Sequence, residues 1–221
     1  MKITIIYDNQ VYRKDLINKW GFACLIEVKD QPVLLFDTGG DGEILLHNMD
    51  QLGIDPAMIE GVFISHKHWD HTGGLETLLR KNSELILFTP PSARDVINKI
   101  SADYYRQEKI FTFARPCQFE RDFFSTGELK GEEQALIVRS GKGLVVVVGC
   151  SHPGVETILD KAALFGKVYA LIGGFHGFNN LAAVKGIELL CPTHCTEYQA
   201  ELSFLYPEKC RKGGVGRVIN I

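Results

Sequence analysis

The stretch Gly61-Val62-Phe63-Ile64-Ser65-His66-Lys67-His68-Trp69-Asp70-His71-Thr72-Gly73-Gly74-Leu75 decides the fold. Its first five residues are apolar or small and read as a buried strand. Side chains two apart on an extended chain point the same way, so His66 and His68 leave that strand able to grip one ion together. The chain then turns, and Leu75, Leu78 and Leu79 follow at helical spacing. Asp70 and His71 fall on the turn, where a carboxylate and another imidazole can face a neighbouring ion. Three histidines and an aspartate within six residues directly after a strand outweigh the plain alternative of a polar surface loop. Imidazole and carboxylate ligands suit zinc, manganese or iron far better than magnesium or calcium, which favour all-oxygen shells.

Downstream, the pattern repeats. Leu144-Val145-Val146-Val147-Val148 is continuous and mostly β-branched, as in a strand buried on both faces, and it delivers Gly149-Cys150-Ser151-His152. Pro153-Gly154 breaks it before a predicted helix near 155–165. A strand over Val168 to Ile172 delivers Gly173-Gly174-Phe175-His176, and one near Ile187 to Cys191 delivers Pro192-Thr193-His194-Cys195. Each histidine follows a strand, as His66 does, and sites in layered α/β folds are built at strand ends. Six of the seven histidines are thereby expected to converge. The seventh, His47, sits in the helical pattern from Ile44 to Leu52 with no motif around it and reads as an ordinary helix residue.

The order His-x-His-x-Asp-His, then Thr-Gly-Gly-Leu, resembles the metallo-β-lactamase superfamily of metallohydrolases. Val33-Leu34-Leu35-Phe36-Asp37-Thr38-Gly39 is similar to its early motif, in which the aspartate supports metal ligands; by itself, without the other motifs, Asp37 reads rather as a strand-ending turn residue before Gly39-Gly40. Gly-Cys-Ser-His, Gly-Gly-Phe-His and Pro-x-His-Cys-Thr, with Trp20-Gly21-Phe22-Ala23 upstream, resemble the branch named after dihydropterin ribofuranosyl-aminobenzene phosphate synthase, of methanopterin biosynthesis. Gly177 and Glu197 depart from that branch, where an aliphatic residue and a glycine are expected. The resemblance implies a four-layer αβ/βα sandwich with two mixed β-sheets, spanning 1–221 as one domain.

It also implies a dinuclear site of two divalent transition-metal ions, zinc foremost, with manganese, iron or nickel as the other candidates. His66, His68 and His152 are assigned to one ion, and Asp70, His71 and His194 to the other. The superfamily's usual bridging aspartate is missing, since no aspartate follows Asp160. By strand order Cys150 stands in its place, as a thiolate ligand or as a small buried apolar residue. His176 is read as a proton donor or substrate clamp, with Asp70 as the second candidate donor. Two ions roughly 3.5–4 Å apart can share a hydroxide and hold a leaving oxygen. The expected chemistry is hydrolysis or group transfer at a phosphoester, diphosphate or related small molecule. Condensation at a pterin diphosphate is the alternative. A non-haem diiron redox protein also occurs on this fold, but that branch carries glutamate where His68 stands.

Composition agrees with an enzyme: 221 residues with 45% hydrophobic content can bury a large core. A net charge of -3 and no long basic run argue against nucleic-acid binding, so the partner expected is a small-molecule substrate, with homo-oligomerisation left open. Lys209, Arg211 and Lys212 beside Gly213-Gly214-Val215-Gly216 read as an anion-binding rim or, with more weight, a solvated turn. Met1 to Tyr7 alternates as a strand rather than a signal peptide, and no apolar run approaches a membrane span. The expected location is cytoplasmic, with the six cysteines reduced. Between the motifs, Ala93, Val96, Ile97 and Ile100 suggest a helix. Tyr104, Tyr105, Phe111 and Phe113 then either wall a pocket for a flat ring or pack their segment onto the body, the second weighing more.

Overall fold

The computed structural model describes residues 1–101 and 105–221. Strands β1 (Lys2–Tyr7), β2 (Ala23–Glu27) and β3 (Leu34–Phe36) lead to helix α1 (Gly42–Gln51). β4 (Gly61–Phe63) is followed by α2 (Trp69–Thr72) and α3 (Leu75–Lys81), and β5 (Ile86–Thr89) by α4 (Arg94–Ser101). β6 (Ile110–Thr112), β7 (Cys117–Glu120), β8 (Phe123–Ser125), β9 (Leu136–Ser140) and β10 (Gly143–Val148) run in succession. α5 (Val155–Ala162), β11 (Val168–Gly174), β12 (Leu189–Thr193), α6 (Gln199–Leu205) and β13 (Val218–Asn220) complete the order.

Two mixed sheets result, ordered β13-β1-β2-β3-β4-β5-β6 and β12-β11-β10-β9-β8-β7. Three apolar cores separate four layers. One lies between the sheets, joining Phe36 and Phe63 to Val145, Val147 and Ile172. Another packs α1, α3 and α4 on the first sheet through Leu45, Leu78 and Ile97. The third packs α5 and α6 on the second sheet through Ile158 and Leu202. The run 144–148 is apolar throughout because β10 is covered on both faces: Val145 and Val147 face the other sheet, while Leu144, Val146 and Val148 face the helices. This is the four-layer sandwich with two mixed sheets expected from the sequence.

Strand direction creates the site. β1 and β3 both pair antiparallel with β2, and β3, β4 and β5 pair in parallel, so β1, β3 and β4 end at one edge. β10, β11 and β12 are likewise mutually parallel. Their chain ends carry Asp8, Asp37, His66, His152, His176 and His194 into loops of one region.

Some local expectations change. The segment from Cys117 to Ser125 forms the hairpin β7–β8, because the polar pair Arg121-Asp122 turns the chain. β12 runs on through Pro192-Thr193, which the sequence read as loop. Tyr105 is buried and its hydroxyl donates to the Leu85 carbonyl, while Phe113 stacks on Phe88 at 5.7 Å between ring centroids. These aromatics pack their segment onto the body; Tyr104 lies outside the described residues. Lys209 donates to the carbonyls of Lys185 and Ile187, and Arg211 to those of Glu208 and Cys210, which ties both to backbone rather than to an anion rim. Among the described residues no helix is long and apolar enough to cross a membrane.

Candidate metal centre

Six of the predicted residues form two groups. Ring nitrogens of His66, His68 and His152 lie within 4.8 Å of one another, as do ligand atoms of Asp70, His71 and His194. The groups adjoin: the His66 and His71 ring centroids are 4.2 Å apart. Cys150 sits between them, its Sγ 3.3 Å from His71 Nε2 and within 4.8 Å of a His66 ring nitrogen. His176 lies outside both groups, half exposed, with its ring 5.2 Å from that of His152. His47 lies on α1, against a different cavity.

Carboxylates hidden behind the imidazoles fix their orientation. Asp37, fully buried, accepts from Ser65 N, Ser65 Oγ and His71 Nδ1, each at 2.7 Å. That leaves His71 Nε2 facing Cys150 and Asp70. Ser65 Oγ is also 2.9 Å from His66 Nδ1. Asp8 accepts from the His194 backbone N–H at 3.1 Å, and Asn9 Oδ1 lies 3.0 Å from His194 Nδ1. Trp20 Nε1 donates to Asp70 at 2.8 Å. Glu133, fully buried, accepts from the backbone N–H groups of Gly149, Cys150, Ser151 and His152 and so clamps the loop that carries two candidate ligands.

Backbone strain gathers here too. Asp37, Ser151, His176 and His194 all have φ between 45° and 60°, a region that costs a non-glycine residue energy. Gly173 has φ of 127°, and a Cβ there would lie 1.9 Å from the Val148 carbonyl oxygen, so only glycine lets β11 pass β10 at this point.

Electrostatics keep most of the imidazoles neutral, the form whose lone pair binds metal. Burial, reinforced by the neighbouring histidines, pushes His66 well below the usual histidine range and His152 down to about 4. Burial lowers His68 and His194 as well. His71 moves the other way: burial opposes its charge, yet the Asp37 carboxylate on Nδ1 carries it above the usual range. Burial likewise works against ionisation of Asp70, but its close approach to His194 and His71 holds it below the usual carboxylate range.

The buried ring nitrogens His152 Nε2 and His194 Nε2 have no hydrogen-bond partner among the described residues; the latter is 3.3 Å from Asp70 Oδ2 without hydrogen-bond geometry. An unpaired buried polar atom costs about 1–3 kcal/mol. A cation bound by each triad would satisfy both, and the nitrogen, carboxylate and sulfur donors present fit divalent transition metals. Asp37→Asn should therefore keep the fold but weaken metal binding roughly 10- to 100-fold, because an amide, with one oxygen, cannot accept all three bonds from Ser65 N, Ser65 Oγ and His71 Nδ1. Metal titration of the variant against wild type measures this.

Asp8, Asn9, Ser65, Glu133 and Cys195 were not singled out as site residues by the sequence. Asp8-Asn9 carries the same signal as Asp37, a strand ending in polar residues. Glu133 lies in Gly131-Glu132-Glu133-Gln134, which is indistinguishable from an exposed turn in sequence alone.

Residues 21–155 match the family model described as the Metallo-beta-lactamase superfamily. The 7,8-dihydropterin-6-methyl-4-(beta-D-ribofuranosyl)-aminobenzene-5'-phosphate synthase of Methanocaldococcus jannaschii is 28% identical, covering 98% of this chain and 95% of the relative. The crystal structure of Tm1679, described as a metal-dependent hydrolase of the beta-lactamase superfamily, superposes with a TM-score of 0.82 at 25% identity, covering 100% of this chain and 99% of the other. Human tRNase Z, short form, shares the fold with a TM-score of 0.70 at 17% identity, over 100% of this chain and 99% of that one.

Proposed function

The chain belongs to the metallo-beta-lactamase superfamily, and from that membership we propose that it is a metal-dependent hydrolase or group transferase acting on a phosphoester, diphosphate or related small molecule. The observation that carries this reading is the pair of adjoining three-residue ligand sets, each with a buried ring nitrogen left unpaired. His66, His68 and His152 would hold one ion and Asp70, His71 and His194 the other. When bound, the ions supply Lewis acidity and acidify water.

The protein's own side chains supply the rest. Beside His152 opens a cavity of about 390 Å³ lined by Ser151, Glu156, His176, Phe178 and Asn179, a volume suited to a small molecule rather than a polymer. His176 stands at its wall and is the proton donor to the leaving group. Asp70, held ionised and already accepting from Trp20, suits a ligand role better than a donor role. The two departures from the synthase branch meet at this wall. A Glu197 carboxylate oxygen is 3.6 Å from where a Gly177 Cβ would stand and 3.8 Å from His176 Nδ1. Such an acidic contact beside the donor differs from what the branch pattern leads one to expect, and supports a substrate of its own. His176→Ala should leave metal content unchanged while lowering kcat roughly 10²- to 10⁴-fold, the usual worth of a positioned proton donor. Metal analysis alongside steady-state kinetics tests it, and an emptied site would make His176 a ligand instead.

A second reading, synthase-type displacement of diphosphate from a pterin, is favoured by the similarity to the Methanocaldococcus jannaschii enzyme over nearly the whole chain. Metal-loaded protein offered simple phosphoesters, lactones and pterin diphosphates separates the two. Turnover of esters but never of a diphosphate leaving group discards the second reading; inactivity on all of them with metal bound discards both.

A further inference from the structure

Two sulfur atoms stand beside the Asp70 group. Ligand atoms of Cys150, Cys195 and His194 lie within 4.8 Å of one another, although Cys150 follows β10 and Cys195 follows β12. The intervening strand, β11, makes room for them. A Cβ at Gly174 would lie 2.7 Å from Cys195 Sγ, 3.4 Å from Cys150 Cα and 2.4 Å from the Gly149 carbonyl oxygen. Glycine at 174 thus lets the Cys195 sulfur reach across β11, to 3.8 Å from the Cys150 carbonyl oxygen.

Buried free cysteines are usually small apolar fillers, and Cys24 and Cys191 fit that description in the core between the sheets. Cys150 and Cys195 differ in their surroundings. Cys150 Sγ faces His71 Nε2 at 3.3 Å instead of aliphatic carbon, and His194, whose side chain is 0% exposed, leaves Nε2 without a hydrogen-bond partner beside the pair. Sulfur converging with an unsatisfied imidazole nitrogen is the donor chemistry of a thiophilic cation, not of hydrocarbon packing.

We infer that Cys150 and Cys195 add a sulfur-bearing seat to the Asp70–His71–His194 position, so that this position takes a thiophilic divalent ion in preference to manganese or magnesium. The inference rests on the metal-dependent reading above and extends it to Cys195. Each thiol that binds gives up its proton to solvent as the metal–sulfur bond forms.

Cobalt(II) titrated into the metal-free full-length chain tests this, because ligand-field absorption reports cobalt bound at all and near-ultraviolet sulfur-to-cobalt charge transfer reports thiolate ligation. Wild type should show both. Cys150→Ser and Cys195→Ser should each lose about half of the charge-transfer intensity, and the double variant all of it, since softness of the donor sets that band. Cys117→Ser, away from the site, should change neither. Ligand-field absorption without charge transfer in wild type, or full charge transfer in Cys195→Ser, overturns the sulfur seat and leaves the metal centre standing. No cobalt bound overturns both. A measurement on unaltered protein guards against variants that misfold: zinc should protect Cys195, which is only partly buried, from iodoacetamide, mapped by mass spectrometry, while Cys117 and Cys210 react alike with and without it. Unprotected Cys195 in zinc-loaded protein also overturns the proposal.

Discussion

His68→Ala and His152→Ala proteins should each lose bound metal and fall in activity by roughly three orders of magnitude or more, because an ion held there would make its bound water far more acidic than bulk water and that gain would be lost. His47→Ala should match wild type on both counts. The contrast has a structural basis. His68 and His152 share a ligand set with His66, and their rings stand 4.9 Å apart, so removing either leaves a two-nitrogen remnant that holds a divalent ion poorly. His47 is exposed on α1 and lines a cavity that includes no member of either set. Metal content measured by mass spectrometry on each purified variant, with turnover of a generic phosphodiester, gives the answer. Wild-type metal content in His152→Ala would falsify the assignment of that histidine.

The difference in legibility between these histidines and their supports has a physical cause. A candidate ligand on a strand end announces itself, because the apolar run before it and the glycine or turn after it bracket the polar residue. His66, His152 and His194 all carry that bracket, and parallel strand order then dictates that they meet. The fold was legible for the same reason: β10 reads as doubly covered from five apolar residues in a row. Supporting residues lack any such frame. Ser65 looks like the last residue of a strand, yet its hydroxyl links Asp37 to His66. Trp20 stands out in the sequence only within a resembling motif, and nothing local says that its indole reaches Asp70, fifty residues on. Cys195 carries no mark of its own in the sequence, since only three-dimensional packing across Gly174 brings its sulfur to Cys150. Contacts of this kind depend on which loops fold over which strand ends, and pattern along the chain does not encode it.

Glu133→Ala shows how much such an unannounced residue carries. Four backbone N–H groups, from Gly149 to His152, donate to its carboxylate at 2.9 to 3.2 Å in a fully buried setting. Deleting the acceptor strands those donors without water, and breaking a buried charged interaction costs about 3–5 kcal/mol. For a chain of this length that lowers Tm by about 10 °C. The loop it clamps carries Cys150 and His152, so metal affinity should fall with stability, which ties a residue with no ligand atom of its own to the chemistry. Glu133→Gln should lie between, because one amide oxygen can serve three of the donors while its NH₂ meets the fourth donor head on. The pH dependence has a definite sign. Burial raises the Glu133 carboxyl above its ordinary value despite the N–H groups that favour its charge. A raised acid binds protons more readily in the folded state, so its contribution to stability is complete below the unfolded value and declines as pH rises through the folded one. The wild-type minus Glu133→Gln difference in Tm should therefore shrink as pH climbs from the ordinary carboxylate range toward the raised value, then stay flat. A difference that grew with pH would mean that the backbone donors outweigh burial and hold the carboxyl below its ordinary value.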